Sequence, residues 1–207
     1  MVKLTDSNIK TAVQNWLKPD TKTATEQTYG SIKNWDVSGV TDFSRLFQDK
    51  SSFNGDISDW DVSSGTNFSE MFYKATAFNQ DISRWQTSSG LDFSKMFFKA
   101  TAFTRDINTR EVTVNDKTYT AWNVSSGTDF TAMFRDATSF NQDLSRWDVS
   151  SGTDFVYMFN GATSFNQDIG NWDTSSCTNF TGMFGYATSF NQDISRWDVS
   201  RAVKFGL

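Results

Sequence analysis

The side chains best placed to do chemistry in this sequence are carboxylates that recur at a fixed interval. Asp56, Asp81, Asp106, Asp143, Asp168 and Asp193 follow one another at 25 residues, stretched once to 37, most with Asn or Gln beside them. Such a column could hold a row of calcium ions through oxygen ligands. It could equally accept backbone N–H groups at turns. The spacing departs from the glycine-rich nonapeptide of calcium-binding β-helices, which favours the turns. Paired carboxylates also serve acid–base chemistry, but these belong to every repeat and form no unique pair, so an enzyme is not expected. The sequence contains no His, which excludes His-based triads, metal sites and pH switches. One Cys, Cys177, rules out an intrachain disulfide or a thiolate cluster. No metal and no cofactor is expected. Thr76, Thr101, Thr138, Thr163 and Thr188 form a hydroxyl column that a flat face could turn to ice; its place after the predicted helix argues against that.

A second constellation flanks the tryptophans. Trp stands at 35, 60, 85, 122, 147, 172 and 197. Residues on either side should point outward if Trp points inward. They form a candidate binding strip of Asp59, Asp61, Arg84, Gln86, Asn123, Arg146, Asp148, Arg196 and Asp198. Stacked Asp columns repel, and Arg in the neighbouring column would relieve that. The strip is therefore either a surface for a protein or glycan, or a solvated face. The long interval holds an insert at residues 109–120. Glu111 to Thr120 reads as a hairpin with Asn115-Asp116 at its turn. It should overhang the strip, which adds Val114, Asn115, Asp116, Lys117 and Tyr119 to the candidates.

What positions these side chains is a repeat. Each unit reads like Trp60-Asp-Val-Ser-Ser-Gly-Thr-Asn-Phe68-Ser-Glu-Met71-Phe72-Tyr-Lys-Ala75-Thr-Ala-Phe78, ending Asp81-Ile82-Ser-Arg84. Apolar residues are 37% and aromatics 16%, with 20 Phe, so rings in fixed columns must build the core. One unit cannot bury its apolar positions alone; stacked units can. Ile82-x-x-Trp85-x-Thr87 has leucine-rich-repeat spacing and predicts a short strand. Phe68, Met71, Phe72 and Ala75 have i, i+3, i+4, i+7 spacing and predict a short helix. Tyr73, Phe98, Tyr157 and Tyr186 fall on its outer side, where exposed rings would make a sticky face. The expected fold is an α/β repeat: a right-handed leucine-rich-repeat-like solenoid of about seven coils, with a parallel β-sheet on one face and short helices on the other. Val40, Gly65, Gly90, Gly127, Gly152 and Cys177 share one slot, so Cys177 reads as a buried structural thiol.

The ends differ from the middle. Ile9, Ala12, Val13, Trp16 and Leu17 share one helical face, with Thr5 as N-cap and Pro19 as stop. This predicts an N-terminal capping helix and linker over residues 1–28 and the repeat array over 29–207. The pattern runs as far as Phe205 and no capping helix follows, so either the C-terminal edge is open, which would allow self-association, or the natural chain continues. A net charge of −5 argues against a nucleic-acid partner. No apolar run is long enough for a transmembrane segment.

Phe-Asn-Gln-Asp-Ile-Ser-Arg-Trp-Asp-Val-Ser, followed by Met-Phe-x-x-Ala-Thr-Ser-Phe, resembles the BspA-like leucine-rich-repeat surface proteins and, more closely, the mycoplasma-type surface lipoprotein repeat. The resemblance spans residues 29–205. This chain departs from it in having mostly Gly where the family commonly has Val, and Phe (Phe43 through Phe205) where it commonly has Met. That pair of changes reads as one coordinated repacking. The resemblance implies surface display, adhesion or protein binding, without an established enzymatic activity, and an extracellular or cell-surface location. The lack of a signal peptide after Met1 leaves a cytoplasmic place open.

Overall fold

Left-handed backbone, rather than helix, carries the apolar face of each unit. The computed structural model describes residues 2–114, 116–204 and 206. In the second unit Phe68, Glu70, Phe72 and Lys74 donate their N–H groups to Asp92, Ser94, Met96 and Phe98 of the third, at 2.7–2.9 Å. The N–H groups between them turn back: Met71 bonds Phe68, Tyr73 bonds Glu70 and Ala75 bonds Phe72, at 3.0–3.2 Å. Alternate N–H groups thus point to the next unit and into local turns. A helix would send them all to the carbonyl four residues earlier. The alternation needs two left-handed residues per unit. Arg45, Asp49, Glu70, Lys74, Lys95, Lys99, Ala132, Asp136, Tyr157 and Tyr186 supply them with φ between 52° and 61°, joined by Gly161 at 70° and Gly182 at 61°. Each non-glycine residue there costs about 1–2 kcal/mol, offset by bonds made in both directions.

The expected leucine-rich-repeat solenoid is therefore corrected. The described residues contain two short α-helices, a single 3-10 turn at Ile32–Asn34 and one two-stranded antiparallel sheet. They contain no parallel β-sheet and no row of helices. The segment read as a strand closes two turns instead, Trp60 N–H to Ile57 O at 3.2 Å and Gly65 N–H to Val62 O at 2.8 Å. Parallel pairing between units shrinks to isolated bridges such as Asn67↔Asp92 and Asp129↔Asp154. Spacing at i, i+3, i+4, i+7 places side chains on one side in a chain of turns as well as in a helix. That is why the periodicity misled.

Rings bind unit to unit. Phe43, Phe68, Phe93, Phe130, Phe155 and Phe180 stack at 5.3–6.0 Å with planes 3–11° apart. Phe47, Phe72, Phe97, Phe134, Phe159 and Phe184 form a second ladder at 5.5–5.8 Å. Each Trp also acts as a donor. The indole N–H of Trp60 reaches Ile32 O at 2.7 Å, and that of Trp147 reaches Ile107 O at 2.8 Å. The Gly slot makes room for the Phe ladder. A Cβ at Gly90 would stand 2.4 Å from Phe93 Cζ, and one at Gly152 2.5 Å from Phe155 Cζ. The paired Gly and Phe are thus one packing solution. Cys177 occupies the same slot, fully buried, and burial pushes its thiol up to about 11, consistent with the structural reading.

The N-terminal helix is shorter than expected and has a partner. Helix α1 is Ile9–Trp16 and helix α2 is Pro19–Tyr29. Thr5 is not a side-chain cap; its N–H is accepted by Asn8 Oδ1 at 2.8 Å. Pro19 ends one helix and begins the next, at the first position where its missing N–H is harmless. The segment before α1 stands in for a preceding unit. Leu4 N–H bonds Asp36 O at 2.8 Å. The Asp6 carboxylate accepts the N–H groups of Thr41 and Asp42 at 2.8 and 2.9 Å. In later units a Thr carbonyl does that work, as Thr41 O does for Thr66 and Asn67.

The turn geometry inverts the usual ranking of substitutions at Lys99, φ 54°. In a helix Gly costs more than Val. Here Lys99→Val should cost about 1–2 kcal/mol and Lys99→Gly much less, read by denaturant unfolding of the two variants. The order expected of a helix would contradict the turns. Trp147→Phe should cost about 1–3 kcal/mol by leaving Ile107 O without its donor, checked by the same titration.

Candidate functional site

The insert forms the hairpin that its sequence predicts, and the hairpin makes the wall of a groove. Strand β1 is Arg110–Val114 and strand β2 is Lys117–Ala121, paired antiparallel with Arg110 opposite Ala121 and Val114 opposite Lys117. Val112 and Thr113 stand opposite Tyr119 and Thr118, the β-branched and aromatic residues that a two-stranded ribbon favours. Two bonds fix its base: Thr109 Oγ1 donates to Trp122 O at 2.7 Å, and Trp122 N–H to Trp85 O at 2.9 Å. Asp106 and Arg110 form an ion pair beside it. One bond fixes its far side, Tyr119 OH donating to the Arg84 carbonyl at 2.7 Å. Burial pushes the Tyr119 phenol above its ordinary value, with Arg84 opposing.

Between hairpin and repeat lies a groove of about 700 Å³. Ser58, Asp59, Trp60, Asp61, Val62 and Ser63 form its floor, with Arg84 and Gln86 beside them and Val114, Lys117 and Tyr119 opposite. It mixes apolar surface, hydroxyls, two cations and two carboxylates, a lining suited to a polar ligand held in a fixed orientation. A smaller hollow of about 240 Å³ adjoins it, sharing Ser58, Asp59 and Arg84 and adding Lys33, Asp56, Gln80 and Asp81. Lys33 Nζ sits 2.9 Å from Asp56 and 3.7 Å from Asp59.

Of the residues expected to form a binding site, Asp59, Asp61, Arg84, Gln86, Val114, Lys117 and Tyr119 meet at this groove. Asn123, Arg146, Asp148, Arg196 and Asp198 lie in later units, and Asp116 at the hairpin turn is exposed outside the lining. Asn115 falls outside the described residues. Lys33 was not foreseen. It is the one cation in a column otherwise held by Ser58, Ser83, Thr120, Ser145, Gly170 and Ser195, and that exception was a usable signal.

The Asp columns are turn-formers. Asp61, Asp148, Asp173 and Asp198 each accept the N–H two residues on, at 2.9–3.1 Å. Asp56, Asp81, Asp143 and Asp193 do the same at 2.8–3.0 Å. Repulsion along the columns is thus met by backbone donors. Among the described residues Arg84, Arg146 and Arg196 make no ion pair, which corrects the expected Arg–Asp relief; Arg196 reaches Asn171 Oδ1 at 3.4 Å instead. The described residues hold no group of three or more metal-ligating side chains. Three hydroxyls of the Thr column donate to a carbonyl of the preceding unit: Thr76 to Ser51 O at 3.2 Å, Thr101 to Thr76 O at 3.5 Å and Thr163 to Thr138 O at 3.4 Å.

A family model described as "Mycoplasma protein of unknown function, DUF285" matches residues 18–119 and again residues 109–206. The two matches overlap across the hairpin. No curated protein and no solved structure matches the chain.

The Asp turns give stability a pH dependence of definite sign. Ser83, through its hydroxyl and, against burial, its N–H, holds the Asp81 carboxyl below the usual range; Ser175 does so for Asp173. A carboxyl lowered in the folded state stabilises above its unfolded value of about 4 and loses that contribution as pH falls through the folded value. Melting temperature should stay level from neutral pH to about 5 and fall below about 4. Asp81→Asn, which keeps the acceptor, should shallow that fall; thermal melts in a pH series check both.

Proposed function

The chain belongs to the Mycoplasma family of unknown function, and from that premise we propose that it is a non-catalytic repeat scaffold that binds a protein or glycan at a cell surface. Its binding site is the groove walled by the hairpin. The observation that carries this reading is the bond from Tyr119 OH to Arg84 O, which ties the inserted hairpin to the repeat beside the groove. Loops held on a rigid frame are where binding residues gather. The resemblance of the repeat to BspA-like surface proteins supports display and adhesion. The absence of His and the use of the Asp columns as turn-formers support a binding role over a catalytic one.

The test is a glycan array and a panel of purified surface proteins, probed with the wild-type chain, with Arg84→Glu and with a chain lacking residues 110–121. Each variant should lose the signal while keeping most of its melting temperature. A signal that survives both changes would sink the groove. A second reading, self-association, is favoured by exposed apolar side chains late in the array, Tyr186 in the sixth unit and Val203 after Trp197, at 83% and 79% exposure. It expects a mass that rises with concentration in sedimentation, reduced by Val203→Lys and indifferent to Arg84→Glu.

A further inference from the structure

We propose that the left-handed turns of the first five units form a second binding surface, for an acidic polysaccharide lying along the stacking direction. None of its residues lines the groove.

Charge is the first support. Arg45, Lys74, Lys95, Lys99 and Arg135 share this surface with Asp49, Glu70 and Asp136, five cations against three carboxylates, in a chain of net charge −5. The rest of the chain is correspondingly more acidic. Glu70 is held by Arg45 at 3.1 Å and Lys95 at 3.5 Å; the Lys74–Asp49, Lys99–Asp136 and Arg135–Asp136 pairs lie farther apart, at 3.8–3.9 Å. Loose, exposed pairs of this kind contribute little and can exchange for a ligand.

A preorganised guanidinium is the second. Tyr73 and Phe98 stack at 4.6 Å. Arg135 takes the next place in their column, 5.6 Å from the Phe98 ring and 4.9 Å from Tyr157. Two rings therefore hold the fork, whose side chain is 38% exposed. Its buried Nε makes no hydrogen bond, with the Asp136 carboxylate 3.8 Å away, and neither does the rest of the guanidinium among the described residues. A fixed planar fork without an acceptor suits a carboxylate.

Three features select a polysaccharide. Lys74 and Lys99 repeat at the interval of the stacked units, a step comparable with one sugar. Asp49, Glu70 and Asp136, set between the cations, would accept hydroxyl donors, which every sugar unit carries and which the side chains of an acidic peptide lack. Single-stranded nucleic acid needs open ring faces; here Tyr73 and Phe98 cover each other, Lys74 and Lys99 lie over them at 5.1 and 5.5 Å, and Arg135 covers Tyr157.

Affinity electrophoresis in polygalacturonate tests the proposal, with neutral dextran, polyglutamate and oligo-dT as parallel arms. Wild type should be retarded by polygalacturonate alone, less so as salt rises. Arg135→Ala should weaken binding by about tenfold or more, Arg135→Lys by less, and Lys74→Glu with Lys99→Glu should abolish it. Removing residues 110–121 should leave it intact, which separates this surface from the groove. Circular dichroism confirms that each variant is folded. No retardation at low salt, equal retardation in dextran, equal binding of polyglutamate or oligo-dT, or full binding by the folded double Lys variant would each overturn the proposal.

Discussion

The whole molecule depends on where alternate backbone N–H groups go. Once Phe68, Glu70, Phe72 and Lys74 give theirs to the next unit, the chain cannot be helical there, and two residues per unit must be left-handed. Those residues turn Lys74, Lys99 and Tyr186 outward and leave Phe72 and Met71 inside. Stacking then follows. Units joined this way bring like rings into register, and the Phe ladders are the result. Burial and backbone bonding reinforce each other, because neither unit has a complete core or a complete set of backbone partners alone.

Much of this was legible in the residues, and the part that was not has a physical cause. The period, the inward columns, the Gly–Phe exchange, the buried Cys177 and the hairpin all follow from side-chain type and position. The backbone path did not. Phe68, Met71, Phe72 and Ala75 fit a helix by spacing, and no glycine marks Glu70 or Lys74 as left-handed. Only Gly161 and Gly182, in single units, hint at it. The strand expectation failed for a related reason: Ile57, Trp60 and Val62 face inward because turns alternate them, with the Trp60 indole N–H bound to Ile32 O.

The groove was half legible. An insertion that interrupts a strict repeat marks an exception, and its alternation marked a hairpin. Its docking onto Arg84 required the Tyr119 hydroxyl to find a carbonyl in a preceding unit, which pattern alone does not encode. The Asp columns teach the opposite lesson. A repeated carboxylate invites a chemical role, yet each has a Ser, Thr or Gly N–H two residues ahead in most units. Function in such a chain belongs to departures from the consensus: Lys33 among Ser, Arg135 among rings, the hairpin between two units.

Asp6 has a consequence beyond closing one end. By imitating the carbonyl of an absent unit, it gives the first repeat nearly the environment of an interior one: Phe43 and Phe47 are fully buried. At the other end Phe180 keeps 8% exposure and Trp197 is only half-buried. A carboxylate in place of a carbonyl thus fastens the array at α1. The hairpin groove, in the second and third units, stands close to the end that Asp6 fastens.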